Sequence, residues 1–295
     1  MSKSGWFINS SQVSLYFTIP IGLLALLIIT TNTLTLITFR SMKSLTLQQY
    51  LICCLAFTDL LTGCVYLPHM IRLWSRNFWF TDEACIMVAV VQFSLIAETT
   101  YIHIALCLEK CYSILKPLKH RQFILKFKPK LFSIAFSVGV FILIVTCYIV
   151  LITSGFWQLT IDHDIGICIF VVTRPYVIVV FTFIVLTLSI MLTANVAILN
   201  ELYKSGNRRK TQIRRAIRVI VLTVGIFYLC FLPYSIWLIL KAENISLPSE
   251  LQIPAIQLVC ANSAMNFFIY LYCFKDFRKQ LQQIMRFKSS VHPVQ

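Results

Sequence analysis

The chain has 295 residues, 58% of them hydrophobic and only 13% charged, about half the charged share of an ordinary soluble domain, which excludes a soluble enzyme. The balance of 26 Lys and Arg against 11 Asp and Glu gives a formal charge of +15, which by itself fits either nucleic acid or anionic lipid as a partner.

Seven uninterrupted apolar stretches reach the roughly 18 residues that cross a hydrocarbon core about 30 Å thick. They occupy 13–39, 47–71, 84–108, 131–153, 175–199, 219–240 and 251–274, more than half the chain. The expected fold is all-α, a seven-transmembrane helix bundle. The first stretch is too long for a signal-peptide core and lacks a small-residue cleavage pattern, so it reads as a retained helix. Segments 40–46, 109–130, 200–218 and 275–295 hold most of the Lys and Arg, whereas the other connections hold only Lys3, Arg72, Arg76, Arg174 and Lys241. Positive residues stay on the cytoplasmic side during insertion, which puts the N-terminus outside and the C-terminus inside. The domain plan is then an extracellular N-terminus at 1–12, a membrane domain at 13–274, and a cytoplasmic amphipathic helix and tail at 275–295. The surplus charge faces the anionic inner leaflet, so membrane lipids replace nucleic acid as the partner it implies.

Along the chain, sequons at Asn9 and Asn244 fall on the outer side and mark candidate glycosylation sites close to the membrane. Asp59 lies mid-span in the second stretch, too deep to reach either surface, and must find partners inside the bundle. Cys85 and Cys168 are the cysteines placed on the oxidising side, either bridged over the bundle mouth or left as two thiols. Glu98 reads as a neutral packing acid or a pH-sensitive group, and His103 as a hydrogen-bonded core histidine that makes the same interior more polar. Ile213 and Ile217 form an i, i+4 pair flanked by Arg208, Arg209, Lys210, Arg214, Arg215 and Arg218, on a helix that continues the sixth span inward. Such a basic surface suits an acidic or amphipathic partner helix, or serves topology alone. Pro233 removes a backbone hydrogen bond inside the sixth span and reads either as a pivot there or as simple packing. After Phe274, the spacing of Phe277, Leu281, Ile284 and Met285 among basic residues predicts a helix lying on the inner leaflet. No Gly-rich phosphate loop, metal-spaced cluster or Ser/His/Asp pairing points to an enzyme.

Motif order and spacing resemble the class A, rhodopsin-like G-protein-coupled receptors from the first span to the tail. The resemblance is carried by Asn32, by Leu55-Ala56 followed by Asp59, by Trp79 before Cys85, and by Glu109-Lys110-Cys111 leading to Ile114 and Pro117-Leu118. It continues with Phe227 ahead of Cys230-Phe231-Leu232-Pro233, then Asn266-Phe267-Phe268-Ile269-Tyr270, then Phe277-Arg278. Departures are Lys and Cys in the acid-Arg-Tyr triplet, Phe for the sixth-span Trp, and loss of the seventh-span Pro.

What the resemblance implies is a plasma-membrane receptor that passes an extracellular signal to a heterotrimeric G protein. Coupling would involve Glu109, Lys110, Cys111, Ile114, Pro117, Arg214, Arg215 and Tyr270, with Phe227, Phe231 and Pro233 as the switch. Asp59, Thr99, Asn262, Ser263 and Asn266 resemble a sodium pocket, read either as an allosteric ion site or as a polar cluster without metal. No other cofactor is expected, and without a lysine in 251–274 there is no retinal attachment. The pocket carried over by position is Tyr66, His69, Gln92, Phe93, Ile96, Phe231, Tyr234, Ser235, Gln252 and Ile256, which favours a small organic ligand, a short peptide being the other reading. Gln92 stands where amine receptors carry an aspartate. The alternatives are a receptor-fold decoy or weakly coupling receptor, for which Lys110, Cys111 and Phe267 speak, and a secondary transporter, for which the expected internal repeats are not seen.

Overall fold

The computed structural model describes residues 10–74, 82–157, 159–162, 167–170, 174–204, 207–243, 245 and 251–290. Their elements in chain order are α1 (Ser10–Arg40), α2 (Leu47–Trp74), α3 (Asp82–Leu115), α4 (Pro117–Lys126), α5 (Pro129–Thr153), β1 (Leu159–Asp162), β2 (Ile167–Phe170), α6 (Arg174–Lys204), α7 (Asn207–Ala242), α8 (Gln252–Cys273) and α9 (Lys275–Ser290). Seven of them, α1, α2, α3, α5, α6, α7 and α8, are long and apolar enough to cross a membrane. Six of them contain one of the seven stretches read from the sequence, and α8 fills the seventh, 251–274, except for its first and last residues.

Lipid tails are as apolar as leucine, so close packing and internal hydrogen bonds, not water exclusion, hold such helices together. The burial pattern follows that rule. Thr31, Asn32, Thr35, Thr38, Thr58, Asp59 and Thr62 are buried, while Leu23, Leu26, Ile178, Leu186 and Leu229 face outward. The Thr31, Thr35 and Thr38 hydroxyls donate to carbonyls one turn back in their own helix. Gly63 lets α2 approach α1: a Cβ there would lie 2.9 Å from Ile29 Cγ1. Asn32 donates from Nδ2 to the Ile28 and Ser263 carbonyls (2.9 and 3.1 Å), tying α1 to α8.

Helix ends have local causes. Thr46 and Gln49 form a reciprocal capping box at the start of α2, the Thr46 amide donating to Gln49 Oε1 (2.8 Å) and the Gln49 amide to Thr46 Oγ1 (3.3 Å). Pro117 and Pro129 open α4 and α5, where a missing amide proton costs nothing. Gly155, at φ +74°, takes the left-handed turn that ends α5. Phe274 is extended between α8 and α9, and Arg278 Nη1 donates to the Leu271 and Tyr272 carbonyls (2.8 and 2.6 Å), closing the free end of α8.

The structure differs from the sequence reading in three places. Segment 109–130, expected as a connection, holds the end of α3 and all of α4. Segment 154–174, expected as loop, contains an antiparallel hairpin running from Leu159 opposite Phe170 to Asp162 opposite Ile167. On α9, Phe277 and Leu281 turn into the bundle against Phe39, Phe267 and Tyr270, leaving Met285 exposed on the other side. The hairpin marks one end of the bundle; α4, α9 and the basic connections mark the other.

Candidate functional site

A cavity of about 300 Å3 lies in the hairpin half of the bundle, between α3, α5, α6, α7 and α8. Phe93, Ile96, Phe231, Tyr234 and Ile256 line it, joined by Tyr148, Tyr176, Val180 and Phe183, and among the described residues no charged side chain is in its walls. Trp157 stacks edge-on against Tyr176 (centroids 5.3 Å apart) and Tyr234 lies parallel to Trp237 (6.0 Å), forming an aromatic layer toward the hairpin end. The cavity opens sideways past Tyr101, Leu143 and Val179, which are all exposed on the lipid-facing surface.

Its floor is continuous with the interior. Phe231 stacks on Phe227 with centroids 4.2 Å apart and planes 21° from parallel. Phe227 in turn meets the His103 ring at 6.1 Å. His103 donates from Nδ1 to the Thr99 carbonyl (2.8 Å) and meets Asn266 Oδ1 through Nε2 (3.2 Å). Asn266 Nδ2 donates to Asp59 Oδ2 (3.0 Å) and Thr99 Oγ1 to Asp59 Oδ1 (3.1 Å), and Ser263 also hydrogen-bonds that carboxyl. Both Asp59 oxygens are thus met by protein donors, and Asn266 offers them its nitrogen while its oxygen faces His103. Among the described residues no group of three His, Cys, Asp or Glu side chains could hold a metal. The donor set fits a closed polar cluster better than a coordinated cation.

At the basic end, α7 is shut against its neighbours. Ile213 is buried with Cys107 of α3 and Met191, Ala194 and Ile198 of α6, and Ile217, Cys111 and Ile114 pack on the same cluster. The isoleucine pair therefore faces inward, and Arg214 is exposed beside it. Glu109 and Lys110 turn apart. Glu109 Oε1 pairs with His120 Nε2 of α4 (3.1 Å), Glu109 Oε2 is buried without a hydrogen-bond partner, and Lys110 Nζ donates to Gln48 Oε1 (2.8 Å). Tyr270 is buried against Phe39 and Phe277.

The family model described as 7 transmembrane receptor (rhodopsin family) matches residues 31–270. The chain belongs to the rhodopsin family of seven-transmembrane receptors. A relative, Trace amine-associated receptor 1 of Macaca mulatta, is 22% identical over an alignment of 311 residues, covering 96% of this chain and 90% of that protein.

Within this rhodopsin-family bundle, the ten pocket positions taken from the sequence divide. Phe93, Ile96, Phe231, Tyr234 and Ile256 share the cavity. Tyr66 instead packs with Ile21, Ile28, Ile253 and Cys260, Gln92 donates to Cys260 Sγ (3.7 Å), and Gln252 is buried near the start of α8. Ser235 spends its hydroxyl on the Phe231 carbonyl one turn back (2.9 Å). The side chains of His69, Cys85, Cys168 and Arg215, together with Asn9 and Asn244, lie outside the described residues. Sequence reasoning missed the α5 and α6 walls, Tyr148, Tyr176 and Phe183, and the latch from Glu109 to His120. An i, i+11 acid and histidine flanking Pro117 was the only signal for that latch.

Proposed function

We propose that the chain is a plasma-membrane receptor that converts binding of a small, neutral or weakly polar organic molecule into nucleotide exchange on a heterotrimeric G protein. The observation that carries this reading is the unbroken chain of contacts from the cavity wall to the polar cluster, Phe231 to Phe227 to His103 to Asn266 to Asp59. A ligand pressing on Phe231 moves Phe227 on the same helix, and Pro233, two residues beyond Phe231, supplies the pivot about which the basic end of α7 swings. That swing withdraws Ile213 and Ile217 from α3 and α6 and opens a groove bounded by Lys110, Ile114, Pro117, Arg214, Arg215 and Tyr270 for the G protein. A neutral ligand is favoured because, among the described residues, no charged group lines the cavity.

The test is ligand-independent exchange on a panel of G-protein α subunits, in membranes bearing the wild type, Lys110→Arg and Lys110→Ala at matched surface levels. Exchange in the wild type, reduced about tenfold or more by Lys110→Ala, is the expected result, since a docking cation typically contributes more than 1.4 kcal/mol. Exchange that survives Lys110→Ala removes Lys110 from the docking surface. A second reading, a decoy or weakly coupling receptor, is favoured by the hydrogen bond that holds Lys110 to Gln48 and by the loss of the arginine fork. Exchange only in Lys110→Arg supports that reading.

The hairpin end lies outside the cell and the basic end inside, with Cys85 and Cys168 bridged and Asn9 and Asn244 available for glycosylation. Contact of both β1 and β2 with α3 supports the bridge. Cys85→Ala and Cys168→Ala are expected to lower surface expression equally and no further in combination, and an antibody to a C-terminal tag is expected to bind only permeabilised cells. Additive losses, or staining of intact cells, count against bridge and topology respectively.

The closed geometry around Asp59 favours the polar-cluster reading over sodium. Replacing potassium by sodium in purified receptor is expected to leave the melting temperature unchanged in wild type and Asp59→Asn alike. A sodium-specific rise that Asp59→Asn abolishes restores the ion site.

A further inference from the structure

A second cavity, of about 610 Å3, is walled by α1, α2, α3 and α5 and shares no residue with the first. Its walls are mostly apolar, with Phe57, Leu61, Leu95, Ile134, Val138 and Phe141 among them. Into it opens Glu98, a side chain that takes no part in the chain of contacts to Asp59 and is only 4% exposed. Ser137 donates its hydroxyl to Glu98 Oε1 at 2.5 Å, and Thr58 hydrogen-bonds the same carboxyl. Among the described residues no Lys, Arg or His pairs with Glu98. The cations that line the cavity are Arg40 and Lys130, at the basic ends of α1 and α5; along α5, Lys130 stands seven residues from Ser137, about 10 Å of helix axis.

An acid inside a membrane span is costly unless a positive partner meets it, and such residues mark binding or transport sites. Here the protein supplies hydroxyls and an apolar chamber of ligand size but leaves the positive partner to a guest. We propose that this cavity binds a lipophilic amine, with its protonated nitrogen on Glu98, the Ser137 oxygen as second acceptor, and its hydrocarbon body among Phe57, Leu61, Ile134 and Val138. Arg40 and Lys130 repel an ammonium from the basic rim, which sets the guest's direction with nitrogen inward. It arrives from the bilayer, because Phe57 and Val138 are both more than half exposed on the lipid-facing surface. Occupancy is felt at the polar cluster through two adjacent pairs: Thr58 bonds Glu98 and precedes Asp59, and Glu98 precedes Thr99, which donates to Asp59. The site stands independently of the G-protein reading.

The experiment uses the full chain in phosphatidylcholine nanodiscs, photolabelled with a diazirine-bearing dodecylamine and mapped by peptide mass spectrometry. Labels are expected on the α2 and α5 faces of the cavity, displaced by dodecylamine at concentrations about tenfold or more below those of dodecanol, the neutral compound of the same length. Glu98→Gln, which keeps size and acceptor, should erase that preference. Val138→Trp, which fills the chamber with Glu98 intact, should erase the labelling. Equal displacement by the alcohol, an unchanged preference in Glu98→Gln, or full labelling of Val138→Trp would each overturn the site.

Discussion

Replacing Ile213 by alanine is expected to raise ligand-independent nucleotide exchange by roughly 5- to 30-fold. Ile213 is 2% exposed and sits where α7 closes on α3 and α6. In the proposed opening this side chain is withdrawn, so its contacts would stabilise only the closed arrangement. Truncating a buried isoleucine in a water-soluble core costs about 2–5 kcal/mol, but lipid can replace part of the lost contact in the open arrangement. A net bias of about 1–2 kcal/mol remains, which is the quoted shift in the open-to-closed ratio. The measurement is basal exchange in membranes at matched surface levels, with thermal stability recorded on the same protein. A fall in stability with unchanged exchange would mean that Ile213 packs the bundle without governing the opening.

Phe227→Ala should be the most damaging single change in the interior. The ring is 1% exposed, stacks on Phe231 and touches both Tyr228 and His103. Its loss leaves a cavity between the ligand site and the polar cluster and costs about 3 kcal/mol or more. That corresponds to a fall in melting temperature of several degrees. Phe227→Leu, which restores most of the volume without the stack, should recover stability but not the ligand response. If Phe227→Leu responds to ligand like the wild type, the aromatic stack is packing and the signal travels elsewhere.

How much could be read from the chain differs by region for physical reasons. The spans were legible because bilayer thickness fixes the length of an apolar run. Their extensions differed: the i, i+4 spacing of Ile213 and Ile217 marked the inward continuation of α7, whereas α3 runs beyond the lipid on charged residues, where length carries no signal. Helix α4 buries none of its residues, so periodicity could not reveal it, although Pro117 marks its first turn. A buried Asp59 had to find partners inside, and of the four that the family resemblance named, Thr99, Ser263 and Asn266 bond its carboxyl while Asn262 is buried on α8 without being among them. Half of the candidate pocket was not legible. A valine or phenylalanine facing lipid and one facing a cavity are the same residue in a sequence, so Val180 and Phe183 gave no sign of their place. Tyr66 and Gln92 lie outside this cavity, since polar groups near the bundle mouth can also satisfy one another.

On the proposed reading, the exposed rim of the first cavity at Tyr101, Leu143 and Val179 changes what concentration means for its ligand. A ligand that reaches Phe231 past that rim is drawn from dissolved molecules in the membrane, so apparent potency in bulk terms is the product of cavity affinity and oil–water partition. Each methylene added to such a ligand, at about 0.8 kcal/mol, enriches it in the bilayer severalfold before it touches the protein. Two compounds with equal fit to the cavity would then rank by greasiness alone, and the order would change with the thickness and composition of the host membrane.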